Sequence, residues 1–297
     1  MKLRNIVHNT WPYIVHANGP SKDTEGWKQY VELWKKQNWK ESKPDNLVIF
    51  TWSIPEEKTI LEECLGDDLT VIPMSKPFAW GDKITKTLEY LYLLDIEENP
   101  YVMGLDALDV IVSTDLDGKG KLWEDIIRLY DNSPFDVLYN AEKSCWPDPR
   151  TGLGTSLKEG FIVEELTKCI HIEEEIYKGM CKSDWCYLNS GCWIGKLDKV
   201  IEFYEEVKKL MDEYPDARLN ENLFGGDQGF IRALIPKFWP KIGIDWKCNI
   251  FQSLQKTECG MNISRAGRDT ETGGRWTTER VDNLSGRWLA AEVEAEE

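Results

Sequence analysis

Short apolar and β-branched runs alternate with amphipathic stretches along most of this 297-residue chain, and no other feature restricts its possible folds as much. Runs at Tyr13–His16, Leu47–Trp52, Leu69–Met74, Tyr101–Leu105, Asp136–Asn140 and Tyr187–Ile194 read as strands. Between most of them, the stretches Glu25–Gln37, Glu56–Cys64, Asp82–Leu93, Gly120–Tyr130 and Leu197–Tyr214 carry apolar residues at helical spacing. Strands interleaved with helices predict an α/β layer structure built on a mixed, mostly parallel sheet flanked by helices. No repeat of about 20 to 50 residues is present, which argues against a solenoid. The glycines and mixed charges of Ser144–Asp184 suit a long insertion or lid beside a site. After Lys256 the chain is rich in Gly, Thr, Arg and Glu. It carries GRW at Gly274–Trp276 and again at Gly286–Trp288, a candidate extension or hairpin at 256–297 that ends in the acidic tail AAEVEAEE.

Hydrophobic residues make up 41% and charged residues 30% of the chain, a globular balance with no apolar run long enough to cross a bilayer. The opening MKLRNIVHNTWP lacks the continuous apolar stretch of a secretion signal, so a cytoplasmic location is expected. A net charge of −16 disfavours nonspecific attraction to nucleic acid, while leaving room for a local basic groove. The eight cysteines are scattered without a CxxC pair, which argues against a zinc ribbon and for free, mostly buried thiols.

Chemistry concentrates in PYVMGLDALDVIV. Asp106 and Asp109 follow an apolar run directly, where a buried strand leaves its sheet and α/β folds place their sites. Two carboxylates three residues apart can share one divalent cation of the kind that serves phosphorylated substrates. His16 ends another strand in YIVHANGPSK, before an Asn-Gly-Pro turn. With Asp106 and Asp109 it makes an O,O,N set with open positions, better suited to manganese or ferrous iron than to magnesium. Only three histidines exist, so a centre of three histidines would consume all of them.

Gly81 and Lys83 open a helix in AWGDKITKTLEYL, where free amides and a cation could hold phosphate, although no Walker pattern is present. Asp227 follows two glycines in GGDQGFIRAL, and a plain helix N-cap explains it as well as catalysis does. STDLDGKG, with Asp115 and Asp117, begins like a calcium loop but has Ile126 where an EF-hand needs its bidentate glutamate.

Taken together, YVMGLDALDVIV, VLYNAEKSCWPD, YLNSGCWIG, DQGFIRAL, DWKCNIFQSL and LRNIVHNTWPYIVHANGPSK resemble the glycosyltransferase domain of the procollagen lysyl hydroxylases. The likeness touches most of the chain from about residue 3 to 255. It implies a single nucleotide-diphosphosugar transferase domain of GT-A type over 1–255, a UDP-sugar donor and manganese. One departure is large: the histidine segment, which follows the DWKCNIFQSL equivalent in that family, here opens the chain. Residues 1–40 therefore look circularly permuted to the N-terminus, a rearrangement tolerated when the old ends are close and the new cut is exposed.

Carried over by position, Asp106, Asp109 and His16 resemble the family's metal ligands. The same carry-over puts Trp80, Lys83, Leu108, Asn18, Gly19 and Lys22 on the donor side. FTWS replaces the family's TVAT, which assigns Thr51, Trp52 and Ser53 to uridine. Trp146 and Asn189, Ser190 and Gly191 match segments lining the sugar and acceptor. The family's run of aspartates is reduced here to Asp227, the candidate for activating the acceptor or orienting the sugar. The resemblance implies transfer of a hexose from a UDP-sugar to a hydroxyl, either a hydroxymethylated pyrimidine in DNA or a hydroxylysine-like side chain. It points to a free-standing bacterial or viral enzyme. A non-catalytic sugar-binding protein and a metal-dependent phosphodiesterase are the competing readings.

Overall fold

The computed structural model describes residues 3–5, 7–36, 41–54, 59–76, 80–113, 121–216, 221–256, 264–265 and 292–293. In chain order the first half contains β1 (Ile14–His16), α1 (Glu25–Lys35), β2 (Leu47–Ser53), α2 (Ile60–Leu65), β3 (Leu69–Pro73), α3 (Trp80–Leu91), β4 (Tyr101–Asp106), β5 (Val110–Val112) and α4 (Leu122–Asp131). The second half contains β6 (Val137–Glu142), α5 (Phe161–Glu173), β7 (Tyr187–Lys196), α6 (Leu197–Glu213), α7 (Gly226–Phe238), β8 (Ile242–Ile244), β9 (Phe251–Ser253), β10 (Ser264–Arg265) and β11 (Glu292–Val293). Each strand and helix expected from the sequence is present, with ends shifted by a few residues.

Six strands form the main sheet in the order β3-β2-β4-β7-β6-β8. The β3–β2, β2–β4 and β6–β8 pairs are parallel, and β7 runs antiparallel to both β4 and β6. The sheet is mixed because β7 is inserted against the direction of its neighbours. Both faces are covered, so the strands alternate between two apolar layers rather than between core and solvent. Along β2, Phe50 and Trp52 pack in the layer with Ile84, Leu88 and Leu91 of α3 and Val200, Phe203 and Val207 of α6. Leu47 and Ile49 pack oppositely, with Leu61 of α2 and Trp123 and Ile126 of α4. Local signals agree with these layers: α2 begins with a capping box in which Thr59 and Glu62 satisfy each other's backbone amides. The buried Leu197, Val200, Phe203, Tyr204, Val207, Leu210 and Met211 trace one stripe along α6.

A second sheet, β5-β1-β9, positions the site. β1 is antiparallel to β5 and parallel to β9, so a strand near the start of the chain lies beside one near residue 250. Asp245 anchors β9 from below, its carboxylate accepting the amides of Asn249, Ile250 and Phe251 at 3.0, 2.6 and 2.9 Å.

One expectation needs correction. Within Ser144–Asp184 only the first part is irregular. α5 and a π-helical continuation, Glu174–Met180, bury Ile162, Leu166, Cys169, Ile170 and Tyr177, so this stretch is core rather than lid. β10 and β11, on either side of the two GRW segments in sequence, pair in parallel. Both GRW segments and the Asp115/Asp117 turn lie outside the described residues. Among the described residues, no helix is long and apolar enough to cross a membrane.

Candidate active site

β4 ends at Asp106, the chain turns through Ala107 and Leu108, and β5 starts at Val110 in the other sheet. Because β5 pairs with β1 in register Val110↔His16, the turn carries both aspartates onto the end of β1. The Ala17 amide donates to the Asp109 carbonyl at 2.8 Å and closes the corner. His16 Nε2 lies 3.3 Å from Asp109 Oδ1 and 3.6 Å from Asp106 Oδ2. One ligand atom from each residue falls within 4.8 Å of the other two, a spacing that a single divalent ion can bridge.

Burial works against the imidazolium, but Cys192 and Asp109 outweigh it and lift the His16 pKa well above the usual histidine value. Burial likewise pushes Asp109 up, and His16 more than reverses that to leave its carboxyl below the ordinary range. The proton on His16 occupies the position a cation would take, since metal and proton compete for the same lone pairs.

Asn140 supplies the supporting contact. Its Nδ2 lies 3.3 Å from His16 Nδ1, while its Oδ1 is buried with no hydrogen-bond partner. The same Nδ2 donates to Asn189 Oδ1 at 3.4 Å, an oxygen that also accepts the Gly191 amide, so turning the Asn140 amide over would set two carboxamide oxygens together. The donor set of two carboxylates and one imidazole fits a divalent cation of the manganese or iron class.

Lys83 closes the next wall. Its Nζ donates to Asp106 Oδ1 at 2.7 Å, lies 3.5 Å from Asp227 Oδ2, and sits 4.3 Å from the Trp52 ring centroid. Burial opposes its charge, yet the two aspartates raise its pKa above the normal lysine value, so it stays cationic.

The metal trio, Lys83 and Asp227 open into one cavity of about 440 Å³. Asn18, Gly19 and Lys22 enter it from the turn after β1, Trp146 from the loop after β6, and Asn189, Ser190 and Gly191 from β7. The last three are there because the β6–β7 register jumps from Tyr139↔Trp193 to Asn140↔Asn189. A bulge of this kind re-aims side chains at a site. A Cβ on Gly191 would stand 2.4 Å from both Asp106 Oδ2 and His16 Cε1. Gly191→Ala is therefore expected to spread the trio and weaken any divalent-cation binding there by at least about tenfold, read by calorimetry, because ligand geometry sets affinity. Unchanged affinity would mean that β7 does not shape the site.

Some residues expected on the donor side do not line this cavity. Thr51 is fully buried and donates to the Leu105 carbonyl at 2.6 Å. Trp52 lies under Lys83 with Nε1 on Thr87 Oγ1 at 2.9 Å, and Ser53 turns to the Ile54 carbonyl. These side chains are committed to packing and internal hydrogen bonds. Leu108, 60% exposed, sits on the turn between the two aspartates, outside the cavity lining. The Trp80 side chain lies outside the described residues. A wider surface depression of about 570 Å³, bordered by Tyr92, Glu205, Lys208 and Asp212, contains none of these groups.

Sequence reading missed Glu142 and Gln228, which line the same cavity. Glu142 is 2% exposed and accepts from Asn18 Nδ2 at 2.8 Å and Gln228 Nε2 at 2.9 Å. Burial is the dominant influence on it, and the amides and the more distant Arg232 only partly offset this, leaving its pKa at about 7. The sign of the resulting stability change is definite. The folded state holds this proton more tightly than the unfolded chain, so stability falls as pH rises from the ordinary glutamate range through 7. Glu142→Gln removes that loss. Its melting temperature is expected to match the parent near pH 4 and exceed it at pH 8, by up to about 3 kcal/mol of stability. A gap that does not widen with pH would mean that Glu142 titrates normally.

No protein-family model matches the chain, and no curated protein matches it. Among solved structures it is similar to mouse xyloside xylosyltransferase 1 in its apo form. That comparison gives 13% identity and a TM-score of 0.37, with 78% of this chain and 82% of that chain covered.

Proposed function

We propose that residues 1–255 form one GT-A-type glycosyltransferase domain, which moves a hexose from a UDP-sugar to a hydroxyl acceptor in the cytoplasm. The observation that carries this reading is the convergence of His16, Asp106 and Asp109 with Lys83, Asp227, Trp146 and the Asn189–Gly191 bulge in one cavity. The resemblance to the lysyl hydroxylase glycosyltransferase domain supports it. So does the pairing of β1 with β9, which a permutation of residues 1–40 would preserve. Mouse xyloside xylosyltransferase 1 is named for the same general chemistry.

His16, Asp106 and Asp109 would hold the manganese ion. When bound, such an ion neutralises charge that builds on the diphosphate as the sugar bond breaks. Lys83 adds a buried positive charge beside it, aimed by Asp106 and Asp227. Lys22 and the Asn18–Gly19 turn offer a second cation and polar groups to the phosphates. Trp146 gives the sugar an apolar face, and Asn189 and Ser190 give it hydrogen-bonding groups. Asp227, held by Lys83, orients the donor. The acceptor is a hydroxymethylated pyrimidine in DNA or a hydroxylysine-like side chain. A phosphodiesterase would normally use a second metal with more carboxylates; the described residues offer one ligand trio.

The test is UDP release from UDP-glucose, UDP-galactose and other UDP-sugars with manganese, with and without hydroxymethylated DNA or a hydroxylysine peptide. Release that requires manganese and one acceptor is the expected result. Tight UDP binding with no release from any donor would instead identify a sugar-nucleotide-binding protein.

A further inference from the structure

Four carboxylates line the cavity, and three of them have evident partners. Asp106 and Asp109 belong to the metal trio, and Asp227 lies 3.5 Å from the Lys83 ammonium. Glu142 differs. Its two oxygens accept only amide hydrogens, one from Asn18 and one from Gln228. Neither amide can turn over without loss, because Asn18 Oδ1 already accepts from Ser253 Oγ at 2.7 Å and Gln228 Oε1 from the Ser190 amide at 3.0 Å. Gln228 Nε2 also donates to the Trp146 carbonyl at 2.6 Å. The carboxylate is thus fixed beside Trp146 and Ser190, and each oxygen keeps a lone pair.

We propose that Glu142 is the base that takes the proton from the acceptor hydroxyl. The inference rests on the transferase reading above. As the acceptor oxygen bonds to the anomeric carbon, the bond from that carbon to the phosphate oxygen breaks. Its electron pair leaves with UDP, and the hydroxyl proton passes to a Glu142 oxygen. The amides hold the carboxylate in place, and burial outweighs the lowering influence of the more distant Arg232 and His16. Its proton affinity near neutrality suits the same task. Asp227 is then the residue that aims Lys83, and the sugar is held between Trp146 and the β7 bulge.

The experiment compares the full-length protein with Glu142→Gln and Glu142→Ala, using manganese, UDP-glucose and UDP-galactose, and the acceptor that supports turnover or water alone. Glu142→Gln is expected to lower kcat by about 10²- to 10⁴-fold while KM for the UDP-sugar and manganese-dependent UDP affinity stay within about twofold. Added formate is expected to restore part of the rate in Glu142→Ala. Loss of UDP-sugar affinity matching the loss of rate, without rescue by formate, would make Glu142 a sugar-positioning residue and overturn the proposal. A Glu142→Gln rate within a few-fold of the parent would overturn it too. If Glu142→Gln fails to bind UDP, Glu142→Asp, which keeps the carboxylate, must retain more rate than Glu142→Ala or the proposal falls. A parent protein that binds UDP-sugar but releases no UDP with any acceptor would instead remove the transferase reading, and this inference with it.

Discussion

On the proposed transferase reading, Asp109→Asn is expected to abolish manganese-dependent UDP release, a loss of at least about a thousandfold, because several kcal/mol of charge stabilisation at the diphosphate would depend on the ion. Asp109 is the more discriminating member of the pair. Asp106 also accepts from Lys83 at 2.7 Å, so replacing it disturbs the ion and the lysine together. The Asp109 side chain faces His16, and its backbone carbonyl makes the contact with Ala17. Asparagine keeps the shape and that backbone bond while removing one of two negative charges from the ligand set. The fold should therefore survive, with a melting temperature lowered by loss of the His16–Asp109 pair, while divalent-cation affinity measured by calorimetry falls. Loss of the partner carboxylate should also lower the His16 pKa, since Asp109 is one of the groups raising it. Full turnover by Asp109→Asn, or turnover indifferent to chelator, would remove the ion from the mechanism.

The grouping of His16, Asp106 and Asp109 was legible in the sequence because His16 and Asp106 end apolar runs and Asp109 follows three residues on. A buried strand that stops at a carboxylate or an imidazole announces a sheet edge, and α/β folds place ligands there. Less visible was the reason the ends meet. The strand expected there stops at Leu105 and none is expected directly after Asp109, yet Val110–Val112 forms a strand of a different sheet. The change of sheet within DALD brings both aspartates to His16.

Glu142 was hidden for a related reason. In VLYNAEKSCWPD the strand seemed to end at Asn140, where the register with β7 shifts, but pairing resumes through Glu142. A bulge is a property of two strands and leaves no periodic mark in either. Thr51, Trp52 and Ser53 are assigned to uridine by the family resemblance alone; in the fold the parallel neighbours β3 and β4 flank them and their polar atoms make internal hydrogen bonds. The Ser144–Asp184 region resembled a lid because of its glycines and mixed charges, and one of those charges, Glu173, is itself buried against a partner that lies distant in sequence.

That partner is Arg232, and Arg232→Met is expected to be the most destabilising single change away from the ligands. Arg232 is fully buried, pairs with Glu173, and donates to the Pro147 carbonyl at 2.8 Å. Methionine fills similar space but strands the Glu173 carboxylate in the core, a loss of about 3–5 kcal/mol. Burial already lifts the Glu173 pKa, with Arg232 the main opposing influence. Without the arginine, the folded state would hold the Glu173 proton more tightly still. The deficit should therefore be largest at high pH and shrink as pH falls toward the ordinary glutamate range. Removing both charges, as in Glu173→Leu with Arg232→Met, should recover much of the loss, since a buried pair adds little over well-packed apolar groups. Activity should not recover in step. Arg232 also holds the Pro147 carbonyl next to Trp146, so the double variant would regain its melting temperature while the wall of the cavity carrying Trp146 stays loosened. Equal losses at pH 5 and pH 8, measured by chemical denaturation, would mean that Glu173 is not the stranded group.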